Sequence, residues 1–491
     1  MGSKVPAVVG RWLGNVRAGR LGASLLLSAA LVGCGGPGKP AAQARRPAPY
    51  VGAVVSPEQV AGEVAREVLL EGGNAADAAV ALGFALAVSL PSRAGLGGGG
   101  ACLAYEPSAE GPGHGRPEAI LFLPVAPGGG PIGDRPAAVP MLARGLYLLH
   151  ARYGRLPVQQ LVGEAQKMAR LGVRTSTPLA SDIAAVAGPL LADPAARAVF
   201  AGPSGAPLTA GEGLFQPDLA NTLSELRMNG LSDFYQGPLA RRMALAATTA
   251  GGGLTAADFA RAVPSIANPI ELRAGINRVA FLPPPADGGL AAAAAFGDLW
   301  HNPNDLAAAA ERALAAAARW RAGGISGEAV LAAKTLPAAR LPPLPASTAF
   351  ATLDASGGAV ACAVTMNNLF GTGRIAPGTG ILLAAAPGTG PPPLLAAGIA
   401  WNNNIHSFRA AVAASGQNEA AISAGLAMAD TLRSKTLAPV AVPSPGVALV
   451  IACGRFLPGN AATCGAEANP AGSGWTFNGG FGSGGFDSGG S

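Results

Sequence analysis

Residues Ser347–Thr365 read STAFATLDASGGAVACAVT, and their interpretation decides the fold. Two apolar, β-type runs flank Asp354–Gly358, a cluster of Asp, Ser and Gly that favours a turn, so the stretch predicts a β-hairpin. With the turn centred on Ser356, Ser347 faces Thr365 across the ladder. Opposed side chains lie about 5 Å apart at Cβ, close enough for two hydroxyls to bond. Ahead of the hairpin runs Leu336–Pro345, proline-rich and therefore extended. Behind it come Asn367, Asn368 and the turn Phe370-Gly371-Thr372-Gly373.

A hydroxyl residue that opens a strand, directly after an exposed proline-rich segment, suggests an N-terminal nucleophile. If the chain were cut before Ser347, the freed α-amine, with a pKa near 8, could serve as base for the hydroxyl of its own residue. No imidazole or carboxylate partner is then needed, which suits a chain with only 4 His. A plain hairpin whose Ser and Thr satisfy backbone groups fits the same spacing, and the residues alone leave both readings open.

Upstream, Ser56-Pro57-Glu58-Gln59 predicts a helix start, with Ser56 as N-cap and Pro57 at the first helical position. Val60, Val64 and Val68 give its apolar stripe. Gly72-Gly73 ends this helix and Asn74 caps the next, Ala75 to about Leu90, which Pro91 and Ser92 break. Gly95–Gly100 then leads into a strand, Ala101–Tyr105. A dinucleotide loop needs the order strand, glycines, helix, so that phosphate meets a helix N-terminus. The order here is helix, glycines, strand, so the run predicts close backbone approach instead. Further helices are expected over Val139–Tyr153, Pro157–Leu171 and Asp305–Arg321.

The chain has 491 residues, enough for a substantial core, with 71 Gly and 43 Pro. Charged residues are 13%, about half the usual share, and hydrophobic residues 49%, which predicts a folded, Ala/Gly-rich protein rather than a disordered one. The net charge of +6 is concentrated before residue 51, in Lys4, Arg11, Arg17, Arg20, Lys39, Arg45 and Arg46. The remainder is close to neutral, which argues against nucleic acid as a partner, because such binding needs cations on the folded surface. No HExxH or CxxC occurs and His114, His150, His301 and His406 are scattered, so neither a metal nor another cofactor is expected.

Residues 1–33 combine a basic start with the apolar run Leu21–Val32, too short to span a bilayer but suited to a signal peptide. The boundary Leu31-Val32-Gly33-Cys34 resembles the lipobox of bacterial lipoprotein precursors. That resemblance implies lipidation of Cys34 and a protein held on a membrane surface of the cell envelope, facing the periplasm. Residues 34–50 read as a flexible tether and 472–491 as a disordered Gly/Ser-rich tail. In an exported protein disulfides persist, and Cys453 and Cys464, flanking a Gly/Pro/Asn loop, are the natural pair. Cys102 and Cys362 lie in apolar runs and are expected as buried small hydrophobes.

Glu71–Tyr105, Ala137–Val162, Leu231–Gly252 and the hairpin through Phe370-Gly371-Thr372-Gly373 to Gly380-Ile381-Leu382-Leu383 resemble blocks of the gamma-glutamyltransferase family. The resemblance covers about residues 51–430. It implies an α+β N-terminal-nucleophile hydrolase fold, an αββα sandwich of stacked antiparallel sheets between helical layers, made as a self-cleaving proenzyme. The cut would separate a large-subunit-like segment, 51–346, from a small-subunit-like segment, 347–471, and the cleaved halves would remain associated. The resemblance implies Ser347 as nucleophile, Thr365 as its support, Asn367 and Gly416 as substrate contacts, and Thr348 as the alternative nucleophile.

The pattern fails elsewhere. The family's arginine for the substrate α-carboxylate corresponds to Leu123. Its groups for the α-amine correspond to Ala386 and Thr389, its paired serines to Ala396 and Ala397, and its oxyanion Gly-Gly to Gly416-Gln417. Three readings follow: an enzyme acting on γ-glutamyl amides such as glutathione; an acylase or amidase using Ser347 on an uncharged acyl group; or an inactive surface lipoprotein. A small-molecule amide or peptide is the substrate in the first two.

Overall fold

The computed structural model describes residues 49–130, 132–434, 437, 440–469 and 474–480. The signal segment, Cys34, nearly all of the tether and residues 481–491 lie outside the described residues.

Two antiparallel sheets carry the fold. The first has seven strands in the spatial order Trp475–Gly480, Tyr50–Ser56, Ser347–Asp354, Ala359–Thr365, Gly99–Tyr105, Glu118–Phe122 and Ser265–Ala267. The second has six, in the order Cys464–Ala468, Val447–Leu457, Ser407–Ser415, Ala396–Asn402, Asn277–Phe281 and Ile270–Ala274. Side chains alternate across each strand, so each sheet serves two cores. From the hairpin, Ala349, Ala351, Leu353, Ala361 and Ala363 face the second sheet and meet Ala397, Ile399, Trp401, Ala411, Ala413 and Ile451. Phe350, Val360, Cys362 and Val364 face the other way, into the layer built by helices Gln59–Leu70, Ala75–Ser89 and Leu142–Tyr153. Helices Gly288–His301, Leu306–Arg321 and Ala420–Arg433 cover the outer face of the second sheet. This is the αββα sandwich. Alanines also line the layer between the sheets, where short side chains let the two faces approach.

Helix Ala75–Ser89 explains itself from its sequence. It is apolar on every side and every one of its residues is buried, the state expected for a helix without a polar face. Asn74 caps it with a reciprocal capping box to Asp77, worth about 1 kcal/mol.

The segments before and after residue 346 interleave: each supplies strands to both sheets. The boundary at Ser347 is therefore not a domain boundary. Among the described residues no helix is long and apolar enough to cross a membrane.

Several expectations are corrected. Ser56 closes the first strand instead of capping a helix; the cap is Glu58, whose carboxylate accepts the N–H groups of Val60 at 3.0 Å and Ala61 at 2.9 Å. The buried stripe of that helix is Ala61, Ala65, Val68 and Leu69, with Val60 and Val64 only half-buried, because small residues face the sheet. Pro91 starts a further short helix, Pro91–Ala94, as proline at a first helical position can. The tether ends before Tyr50, already in a strand, and Trp475–Gly480 is ordered against that strand, so the tail loses its first residues to the sheet edge. Cys102 and Cys362 are bonded to each other, since the sheet sets them directly opposite. The expected pair, Cys453 and Cys464, does form a disulfide, across neighbouring strands.

Candidate active site

The hairpin is fixed at its closed end. Asp354 accepts the Ser356 N–H at 2.9 Å, the Ser356 hydroxyl at 2.6 Å and the Gly358 N–H at 3.0 Å with one oxygen. Its second oxygen accepts the Ala75 N–H at 3.0 Å, which bolts the turn to the start of the buried helix. With the turn so held, the ladder runs without a bulge to the open end, where Thr365 pairs with Ser347.

Both residues are buried. The Thr365 hydroxyl donates to the Ala346 carbonyl at 3.1 Å and accepts the Asn367 N–H at 2.9 Å. That carbonyl belongs to the peptide bond joining Ala346 to Ser347, so a hydroxyl donor sits on the bond whose scission would free the Ser347 amine. Thr348 falls on the opposite face of the strand by alternation, away from the Thr365 hydroxyl. Asn367 has a left-handed backbone, with φ 58°, and its amide donates to the Ala385 carbonyl at 3.0 Å. Among the described residues no His, Asp, Glu or Lys side chain hydrogen-bonds to Ser347 or Thr365.

The glycine run forms the floor beside them. Thr365 pairs with Gly99, and Gly100 with Phe122, so the row through Ser347, Thr365 and Gly99 continues toward Leu123. A Cβ on Gly97, Gly98, Gly99 or Gly100 would collide with the carbonyl oxygens of Leu382, Thr365, Phe122 and Ala363 respectively. These glycines are needed for space. Leu123 packs on the apolar layer between the sheets.

Ahead of the Ala346–Ser347 bond, Asn418 accepts the Leu344 N–H at 3.1 Å, and its amide reaches the carbonyls of Leu341 and Pro342 at 3.5 Å. Asn418 follows Gly416 and Gln417, two consecutive residues with positive φ, 119° and 57°. The segment before Ser347 is thus tied to the turn that holds Gly416. Sequence reasoning missed Asn418, for which no local signal exists.

At the positions that the sequence resemblance assigns to acyl recognition no charged side chain stands. Leu123, Ala386, Ala396 and Ala397 are apolar, and the Thr389 hydroxyl donates to the Ala386 carbonyl at 2.7 Å within its own turn. Ala396 and Ala397 are fully buried, one in each core. An ion pair joins Arg374 to Asp134 at 2.7 Å, by the turn carrying Thr372, and the Arg374 guanidinium holds that carboxyl below the usual range. Arg135 beside it donates to the Thr372 carbonyl at 3.3 Å. Among the described residues no group of three or more His, Cys, Asp or Glu could hold a metal ion.

This arrangement can be set beside known proteins. A family model described as gamma-glutamyltranspeptidase matches residues 61–297, a span that ends before Ser347. The glutathione hydrolase proenzyme of Escherichia coli is 32% identical over 256 residues, covering 49% of this chain and 43% of that protein. The glutathione hydrolase proenzyme of Bacillus subtilis is 32% identical over 254 residues, with the same shares. The chain thus spans less than half the length of the curated relatives it matches. In fold, the crystal structure of cephalosporin acylase from Bacillus halodurans superposes with a TM-score of 0.69 over 90% of this chain and 98% of that one, at 18% identity. Residues 61–297 thus resemble the gamma-glutamyltranspeptidase family, within a sandwich fold shared with that acylase.

Proposed function

We propose that this chain is a self-cleaving amide hydrolase or acyltransferase whose nucleophile is Ser347 and whose substrate is a small amide with an uncharged acyl group. One observation carries the reading: the Thr365 hydroxyl donates to the Ala346 carbonyl while lying directly opposite Ser347. In the first stage the Ser347 Oγ attacks the Ala346 carbonyl carbon, with the Thr365 donor polarising the oxygen. The C–N bond breaks as the Oγ proton passes to the departing Ser347 nitrogen, an ester forms on Ser347, and water hydrolyses it to an Ala346 carboxylate, a regenerated Ser347 hydroxyl and a free Ser347 amine. In the second stage that amine takes the proton of its own hydroxyl, which attacks the substrate carbonyl. The leaving amine receives the proton, and water or a second amine then resolves the acyl ester.

The absence of charge at Leu123, Ala386, Ala396 and Ala397 favours an uncharged acyl group, since an α-carboxylate would lose a charge-assisted pair worth about 1.5–3 kcal/mol. A second reading, γ-glutamyl amides such as glutathione, is favoured by the activity in the relatives' names. Turnover of a γ-glutamyl anilide and of an uncharged acyl anilide by the processed protein decides between them. The uncharged anilide is expected to be the better substrate; a γ-glutamyl preference supports the second reading, and turnover of neither supports an inactive surface protein. On this reading Cys34 carries the lipid that holds the enzyme at the envelope surface, facing the periplasm, with Asn367 and Gly416 contacting substrate.

A further inference from the structure

The cysteines of the central sheet have a consequence that depends on where the chain is cut. Cys102 lies upstream of Ser347 and Cys362 downstream, and the two are directly opposed on the neighbouring strands Gly99–Tyr105 and Ala359–Thr365. They are bonded and fully buried on the helical face of the sheet. The other disulfide, Cys453–Cys464, lies wholly downstream of Ser347. We propose that the mature protein is a disulfide-linked two-chain molecule, in which Cys102–Cys362 replaces, across the sheet, the covalent connection that scission at Ala346–Ser347 removes.

This rests on the reading of self-cleavage given above. The bond forms by thiol–disulfide exchange: the two thiols give up two protons and two electrons to a protein disulfide of an oxidising compartment, which becomes a dithiol. Because the finished bond is buried in the sheet, exchange belongs to folding, before the strands close. Its position has a second effect. Cys362 lies three residues from Thr365, on the opposite face of the same strand, so the bond clamps the register that pairs Thr365 with Gly99 from the face away from Ser347.

The test uses the full-length protein, denatured in the presence of excess alkylating reagent and run on denaturing gels with and without reductant. The expected result is one band near the uncut mass without reductant and two bands with it, the smaller beginning at Ser347. A Cys102→Ala, Cys362→Ala double variant is expected to give two bands in both lanes, and Ser347→Ala one band in both. Two bands from the unmodified protein without reductant overturn the proposal. One band in both lanes overturns it as well, and a non-reducing peptide map then shows which part failed. A linked Cys102–Cys362 peptide pair on an uncut chain places the failure in the scission reading. Two bands without reductant, with alkylated thiols at both positions, place it in the cross-link.

Discussion

The nucleophile side and the acyl side of the candidate site are built by different means. On the nucleophile side, Ser347, Thr365 and Gly99 are aligned by ladder register, by the Asp354 turn and by glycines that admit neighbouring carbonyls. Many backbone contacts must change together to move any of them. On the acyl side, the positions that the sequence resemblance assigns to substrate recognition are single side chains, Leu123, Ala386, Thr389, Ala396 and Ala397. Backbone-built chemistry therefore tolerates sequence divergence, whereas side-chain-built specificity can be lost one substitution at a time. A change on the first side should alter rate for every substrate, and a change on the second should alter only the ratio between substrates.

Replacing Thr365 by Val is the stronger challenge to the first half of that contrast. It removes the donor to the Ala346 carbonyl and should slow scission by about 100- to 1000-fold, the usual loss for one such donor. Thr365→Ser should restore most of the rate. Undiminished scission in the Val variant, followed by mass spectrometry of freshly made protein, contradicts the assigned role.

The second half is sharpened by Leu123→Arg. A guanidinium there should shift the ratio of γ-glutamyl to uncharged anilide turnover by about 10- to 100-fold toward the former, with little effect on scission. Equal losses for both substrates would show that Leu123 does not face the acyl group.

Smallest is the expected pH effect. An α-amine base with a pKa near 8 is protonated and idle at low pH, so turnover should rise by about tenfold from pH 7 to pH 9 and then level off. An inflection near pH 6.5 would indicate an imidazole base instead.

Local chemistry made part of this molecule legible in the sequence. Asn74 and the glycines before it marked a helix boundary, and the turn centred on Ser356 set the register that brings Ser347 opposite Thr365. The polyglycine order excluded a phosphate loop and suggested backbone crowding, which the carbonyls around Gly97–Gly100 supply. Long-range partners were not legible. Cys102 and Cys362 are 260 residues apart, and nothing in either apolar run shows that their strands are neighbours. Asn418 reaches Leu344 across 74 residues, from the turn that follows strand Ser407–Ser415, and Trp475–Gly480 is a strand paired on the open edge of Tyr50–Ser56. At Ser56 a strong local helix signal lost to a strand, with Glu58 taking over the cap.

The account stands on the fate of one peptide bond, best followed by N-terminal sequencing and intact mass of freshly purified protein over time, with Ser347→Ala as control. Scission between Ala346 and Ser347 in the native chain, abolished in the control, is the predicted result. A chain that keeps that bond indefinitely, or one cut elsewhere with the control cut equally, would contradict it.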